Sequence, residues 1–386
     1  MSELIIKNGY VYNTPARRFF KGNIRISDGV IEAIDEICCC DCGVEVIDAS
    51  GKYIIPGMVD VHTHGRANAD FTHATEEQGL AMAKSYAEAG TTTIFATPAS
   101  APYPEMLEAT KNAAAAAKKT RGVGANIDGV HIEGRYLSLE KRGAHAPELL
   151  AMPDNEELEG LTEAIGDIAK RITVAPELPG GEEFVRLAVK HGYSVSIGHS
   201  NTTYEQALEA LSWGVNSFTH TFNAMRGLHH REPGTVGAAL TCDDAYCEVI
   251  PDGFHLNPAI VRLIYLAKDK DHLCLITDSM MATGCSDGVY SIAGLPVYVK
   301  DGLAREEDGT ISGSTLNLLD GVFRFMEFCG ISLEEAIPYA TKNPAVMTGI
   351  YGHTGSLTAG KRADIVILSE DRRTIKGVYA AGYKIK

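Results

Sequence analysis

Apolar residues along the chain gather into short runs, and through most of its length these runs alternate with amphipathic stretches. Residues 1 to 55 carry small strand-like segments: Leu4-Ile5-Ile6, Gly9-Tyr10-Val11-Tyr12 and the alternating Asn23-Ile24-Arg25-Ile26-Ser27. Asp28-Gly29 then separates that run from Val30-Ile31-Glu32-Ala33-Ile34, and Asp-Gly between two alternating runs is a strong hairpin signal. Strand-like residues return at 363–368 and 377–380, with Gly382-Tyr383-Lys384 extending the pattern. The simplest arrangement is one small β unit built from both ends, 1–55 and 351–386, flanking a middle of 56–350.

The middle has a different rhythm. Strand-like runs end near His64, Pro98, Glu133, Pro176, His199, His220, Asp252 and Asp278, which makes eight. Helical patterns fall between most of them, at 76–89, 104–119, 155–169, 182–190, 204–211 and 258–267. Pro104 suits a helix first turn, and Gly90, Gly192 and Gly214 fall where helices should end. Strands alternating with helices predict βαβ units and a parallel sheet, and eight of them predict a closed α/β barrel of the (β/α)8 kind. A doubly wound open sheet is the competing architecture. It more often carries a glycine-rich nucleotide loop after its first strand, and none is visible here.

Composition narrows the partners. The chain has 386 residues, is 45% hydrophobic and carries a formal net charge of -15, which disfavours nucleic acid and anionic membranes as partners. No run of about 18 apolar residues and no signal-peptide core is present, so the expectation is a soluble, cytoplasmic protein. Of nine cysteines, Cys242, Cys247, Cys274, Cys285 and Cys329 are scattered through patterned segments and read as small buried hydrophobes. The cluster Cys38, Cys39, Cys40 and Cys42 lacks the usual paired zinc spacing, and we read it as incidental.

Candidate chemistry sits where the runs stop. His62 and His64 end the first run at i, i+2 spacing, which puts both imidazoles on one side of a strand and suits them to one metal ion. Glu133 closes the third run, His199 the fifth, His220 the sixth and Asp278 the eighth. In a barrel, all these carboxyl-terminal ends meet on one face.

That constellation resembles the metal-dependent amidohydrolase superfamily, whose barrel is accompanied by a small β-sandwich made from both chain ends. More narrowly, His131-Ile132-Glu133-Gly134, Gly143-Ala144-His145, Gly198-His199-Ser200 and His220-Thr221-Phe222-Asn223-Ala224-Met225 resemble segments of the N-acetylglucosamine-6-phosphate deacetylase family. So do Arg231-Glu232-Pro233-Gly234, Asp252-Gly253-Phe254-His255 and Thr277-Asp278-Ser279-Met280. The resemblance implies Glu133, His199 and His220 as principal metal ligands, with His62 and His64 supporting a second ion. One or two divalent ions per subunit are implied, zinc first, with iron, manganese or cobalt as alternatives. It implies Asp278 as the acid-base group and His145 as a residue that steadies the oxyanion or orients the sugar. Arg231 and His255 match the family's phosphate contacts, and Asn223 with the Ala224 amide matches a further polar contact. Part of the phosphate clamp comes from a neighbouring subunit in the family, which implies a homodimer acting on a small sugar phosphate.

One departure stands out. Family members generally read Pro-Phe after the Glu-Gly of the third strand, whereas Arg135-Tyr136 stand here. Arg135 is a candidate for binding phosphate or altering which sugar epimer fits; pairing with a carboxylate is the structural alternative. Three other activities compete with deacetylation of the glucosamine substrate: action on the galactosamine epimer, cleavage of a cyclic amide, and non-catalytic sugar-phosphate sensing. Cyclic-amide enzymes commonly use a modified lysine on the fourth strand, where this chain has Glu177. A sensor should have lost a ligand or the aspartate, and none is missing.

Overall fold

The computed structural model describes residues 3–35 and 43–386; the Cys38–Cys42 cluster lies outside them. Eight parallel strands form the expected barrel: Met58–Thr63, Thr91–Ala96, Asn126–Glu133, Ala169–Val174, Tyr193–Ile197, Ser217–Phe218, Tyr246–Val249 and Leu273–Leu275, each paired with its sequence neighbour. The ring closes just beyond its last strand. There the Asp278 amide donates to the His62 carbonyl at 3.0 Å, and Thr63 bridges Ser279 in parallel.

The outer helices begin and end for local reasons. Thr75 and Thr203 each cap a helix reciprocally with a glutamine three residues on, at Glu76–Glu88 and Tyr204–Ser212. Asp154 caps Asn155–Ile165, which stops at Gly166, four residues short of the expected extent, so that Ala169–Val174 can begin the fourth strand. Tyr103–Ala117, Gly181–Lys190 and Pro258–Ala267 complete the helices foreseen from periodicity.

Two helical features were not foreseen. Gly234–Thr241 is buried along nearly its whole length and built from small and apolar residues, so it shows no amphipathic period. Leu318–Cys329 follows the eighth strand after an insertion, Gly288–Ile292, Leu295–Lys300 and Leu303–Arg305, which forms a separate three-stranded antiparallel sheet. Met280, Ala282, Ile292, Val297, Val299 and Ala304 pack together as the insertion's own small core.

The chain ends build one mixed sheet. Its order is Tyr383–Lys384, Ile375–Ala380, Ile365–Leu368, Tyr53–Pro56, Glu3–Asn13, Arg18–Ser27, Val30–Asp35, with Glu45–Asp48 also pairing to Glu3–Asn13. Leu4-Ile5-Ile6 and Gly9–Tyr12 belong to a single strand with an irregularity between Ile6 and Gly9. Asp28 and Gly29, at φ 51° and 82°, make the two-residue hairpin turn that the sequence called for. Arg362 ties this sheet to the barrel by two 2.8 Å hydrogen bonds to Asp128 on the third strand.

Among the described residues, no helix is long and apolar enough to cross a membrane. Cys247, Cys274 and Cys329 are buried and Cys242 partly so, but Cys285 is exposed, because it lies in the loop leading to the three-stranded sheet rather than in a packed element.

Candidate active site

At the carboxyl ends of the barrel strands, the chain turns sharply and aims polar side chains inward. His199, His220 and Asp278 all sit at positive φ, 45°, 30° and 50°, a region that non-glycine residues occupy at a cost of order 1–3 kcal/mol each. Three such residues at the mouth of one barrel place backbone strain where their side chains converge.

The convergence centres on Glu133. His64 Nε2 lies 2.9 Å and His62 Nε2 3.1 Å from its Oε2; His220 Nε2 lies 3.0 Å and His199 Nε2 3.6 Å from its Oε1. Asp278 Oδ1 stands 3.1 Å from His64 Nε2 and 3.6 Å from His62 Nε2. Behind the cluster, His64 Nδ1 reaches the Thr97 carbonyl at 2.9 Å and His199 Nδ1 the Lys141 carbonyl at 3.0 Å, whereas the buried Nδ1 of His220 has no hydrogen-bond partner among the described residues. His145 packs edge-on against His199, with ring centroids 4.6 Å apart, and its Nδ1 meets Ser100 Oγ at 2.7 Å.

These donors fit a divalent metal. One potential ligand atom from each of His62, His64, Glu133 and Asp278 lies within 4.8 Å of all the others, and Glu133, His145 and His199 form a second such group. His199 Nε2 and His220 Nε2 face each other at 3.1 Å with Glu133 Oε1 beside both. Buried imidazole nitrogens and carboxylate oxygens aimed at one place are hard donors and borderline donors of the sort that zinc and its neighbours accept.

The electrostatics agree. Burial opposes charge on Glu133, but His62 and the hydrogen-bonding His199 and His220 hold its carboxyl well below the usual range. Burial would lower His64, yet hydrogen bonds to Asp278 and Glu133 raise it to about 9. Asp278 is likewise held low against burial, by His64 and His62, so it is ionised at neutral pH. His145 goes the other way: burial and the adjacent His199 lower it to about 3, which leaves it neutral.

Above the cluster lies a cavity of about 320 Å³, lined by His64, Glu133, His145, His199, His220, Asn223, Ala224, His255 and Asp278, with Ile292, Ala293, Thr310, Ile311 and Gly313 from the inserted sheet and its exit loop. His255 Nδ1 binds Asp252 at 2.7 Å, and although burial opposes it, that contact raises the imidazole's pKa. Arg231 is exposed on a loop and does not line this cavity. Arg135 does not line it either: its Nε and Nη2 bind Glu157 at 3.1 and 3.0 Å. Of the two readings of Arg135, the contact present is the pairing with a carboxylate, its guanidinium occupied by Glu157 on the helix Asn155–Ile165. Glu177 turns away from the cluster and accepts from Ser200 Oγ at 2.9 Å.

Sequence reading missed three buried participants. Glu248 on the seventh strand contacts His62 Nδ1 at 3.2 Å and accepts from the His220 amide at 3.2 Å. Arg171 on the fourth strand reaches Glu248 at 2.5 Å, and His131 packs its ring against His62 at 4.5 Å. The available signal was a charged residue within each of two barrel strands, Arg171 in Ala169–Val174 and Glu248 in Tyr246–Val249.

A barrel with this cluster at the carboxyl ends of its strands is the architecture of a metal-dependent hydrolase. The amidohydrolase family model matches residues 53–384, and the chain belongs to that family. It is 34% identical to the N-acetylglucosamine-6-phosphate deacetylase of Bacillus subtilis (96% of this chain, 91% of that one) and 35% identical to the N-acetylgalactosamine-6-phosphate deacetylase of Escherichia coli O157:H7 (89% and 90%). The N-acetylglucosamine-6-phosphate deacetylase structure from Thermotoga maritima superimposes with a TM-score of 0.88 at 33% identity over 99% of each chain. A mutant of the Mycobacterium smegmatis enzyme, in complex with N-acetyl-D-glucosamine-6-phosphate, superimposes with a TM-score of 0.90 at 31% identity over 100% of each. Within the amidohydrolases, the chain is a member of the N-acetylglucosamine-6-phosphate deacetylase family.

Proposed function

We propose that the protein hydrolyses the acetamide of N-acetylglucosamine 6-phosphate to glucosamine 6-phosphate and acetate. The observation that carries this reading is Asp278, an ionised carboxylate 3.1 Å from His64 and on the wall of a cavity that also holds Glu133, His199 and His220. Glu133, His199 and His220 would hold one divalent ion, with His62 and His64 able to support a second; zinc suits the donor set best, and iron, manganese or cobalt are compatible with it. Bound there, such an ion supplies Lewis acidity, lowering the pKa of water and polarising the acetyl carbonyl.

The chain's own groups do the rest. Asp278 takes the proton of the attacking water, and as the tetrahedral adduct collapses it returns that proton to the sugar nitrogen, which leaves as a neutral amine. His145, kept neutral, can donate a hydrogen bond to the developing oxyanion without competing for the transferred proton. Asn223 and the Ala224 amide line the cavity and suit the sugar hydroxyls. His255, raised by Asp252, offers positive charge to the phosphate.

Arg231 is the second phosphate cation in this reading. Its exposure away from its own chain's cavity supports a homodimer in which each subunit lends Arg231 to the other. Acetate release from the glucosamine and galactosamine substrates, measured side by side on metal-loaded protein, tests the whole. A kcat/KM favouring the glucosamine epimer is expected. Preference for the galactosamine epimer, which the Escherichia coli relative favours as a second reading, would move the assignment to that sugar, and no acetate from either would refute it.

A further inference from the structure

Beneath the proposed metal ligands, the barrel interior holds an ion pair where layers of apolar side chains are the rule. Arg171 and Glu248 are both fully buried and 2.5 Å apart, and Arg171 Nη1 is also tied to Ser194 Oγ at 3.0 Å and Ser217 Oγ at 3.1 Å. Four strands thus meet through one guanidinium. Replacing a buried pair of this kind by apolar residues is often neutral or stabilising, so its presence does not follow from stability alone.

What Glu248 does with its remaining oxygen points to a use. Oε2 faces His62 Nδ1 at 3.2 Å and accepts the His220 backbone amide at 3.2 Å. The other oxygen, Oε1, is paired with the Arg171 guanidinium, which gives up no proton, so Glu248 stands there as a carboxylate. An ionised carboxylate only accepts hydrogen bonds, so Nδ1 of His62 must carry the proton, and in the neutral ring the lone pair is then on Nε2. Nε2 is the nitrogen that faces Glu133 at 3.1 Å and Asp278 at 3.6 Å. The His131 ring, standing edge-on to His62 at 4.5 Å, restrains the remaining rotation.

We propose that Glu248, itself held by Arg171, is a positioning residue that fixes the tautomer and ring plane of His62 and thereby governs retention of the metal ion that His62 binds. This rests on the metal-hydrolase reading above.

The test is zinc binding to metal-free protein, followed by chelator competition, on wild type, H62N, E248Q and the H62N/E248Q double variant. In E248Q the amide can donate to Nδ1 and drive the proton to Nε2. The zinc-binding phase that H62N removes should weaken by about 10- to 100-fold in E248Q, the range found for partners behind metal-ligating histidines. In the H62N background, E248Q should bring no further loss, because its effect runs through His62. Should E248Q fold poorly because Arg171 is left unpaired, E248Q/R171M removes that charge and is expected to lose the same phase. A His62-dependent phase left at wild-type affinity in E248Q, an equal further loss in the H62N background, or a wild type with no His62-dependent phase would each overturn the proposal. Acetate release on the same wild-type preparation is scored separately, so that absence of deacetylase activity counts against the function and not against Glu248.

Discussion

Replacing Asp278 by asparagine removes the proton carrier and leaves its shape. Asp278 Oδ1 stands 3.1 Å from His64 Nε2, and the residue is 8% exposed at the cavity wall, so an amide of equal size can keep the packing. The carboxylate is held below its ordinary range, which makes it an ionised base at neutral pH but also a reluctant acid. It does both jobs in turn, and acid-base catalysis by one positioned group is typically worth about 10²- to 10⁴-fold. An amine expelled without protonation is a poor leaving group, so the loss should fall at the upper end, about 10³- to 10⁴-fold in kcat, or about 4–5.5 kcal/mol in activation free energy. KM should change little, since the sugar and phosphate contacts remain. The assay is acetate release at saturating substrate, with metal content measured on the same sample. Turnover within about tenfold of wild type at unchanged metal content would refute Asp278 as the acid-base group.

Four further outcomes are expected. Chelation should abolish activity, and zinc uptake by the metal-free protein at pH 7 should release protons, because His64, raised to about 9, is protonated until a metal displaces its proton; calorimetry in two buffers of different ionisation heat measures the count. A histidine whose folded pKa is raised contributes stability below its unfolded pKa of about 6.5 and loses it as pH climbs through about 9, so the melting temperature of metal-free protein, unlike that of the zinc-loaded form, should fall over that interval. Arg135→Ala, which breaks a mostly buried paired contact to Glu157, should cost about 1–3 kcal/mol in urea unfolding while leaving the KM of the sugar phosphate within about twofold. Mixing inactive Arg231→Ala and Asp278→Asn chains should restore part of the activity, since one composite site then holds both intact residues; no recovery in mixtures shown to exchange subunits would argue against a shared phosphate clamp.

The barrel and its mouth were legible because most of the apolar runs stop at a residue that cannot be buried without partners. His62, His64, Glu133, His199, His220 and Asp278 mark those stops, and the parallel order brings them together. Glu248 and Arg171 were hidden for the converse reason: they lie within their runs, where a charge reads as a solvent-facing strand position until the strand is known to be enclosed. The inserted sheet at 288–305 was missed because its strands are short and half exposed, and with it went Ile292 and Ile311 as cavity walls. Arg135, by its nearness to Glu133 in the chain, left a ligand role and pairing with a carboxylate both open, and its contact to Glu157 is the second. Its backbone turns at φ 64°, so the two side chains diverge.

His199, His220 and Asp278 occupy backbone corners where glycine would be more comfortable, and none of them can be glycine if the site is to work. The apo chain carries that discomfort together with a knot of acids and imidazoles that repel when wrongly protonated. A cation gathered by those side chains would relieve part of it, so cofactor supply and protein lifetime become one variable: cells short of the ion would hold not idle enzyme in reserve but a more readily unfolded and degraded one.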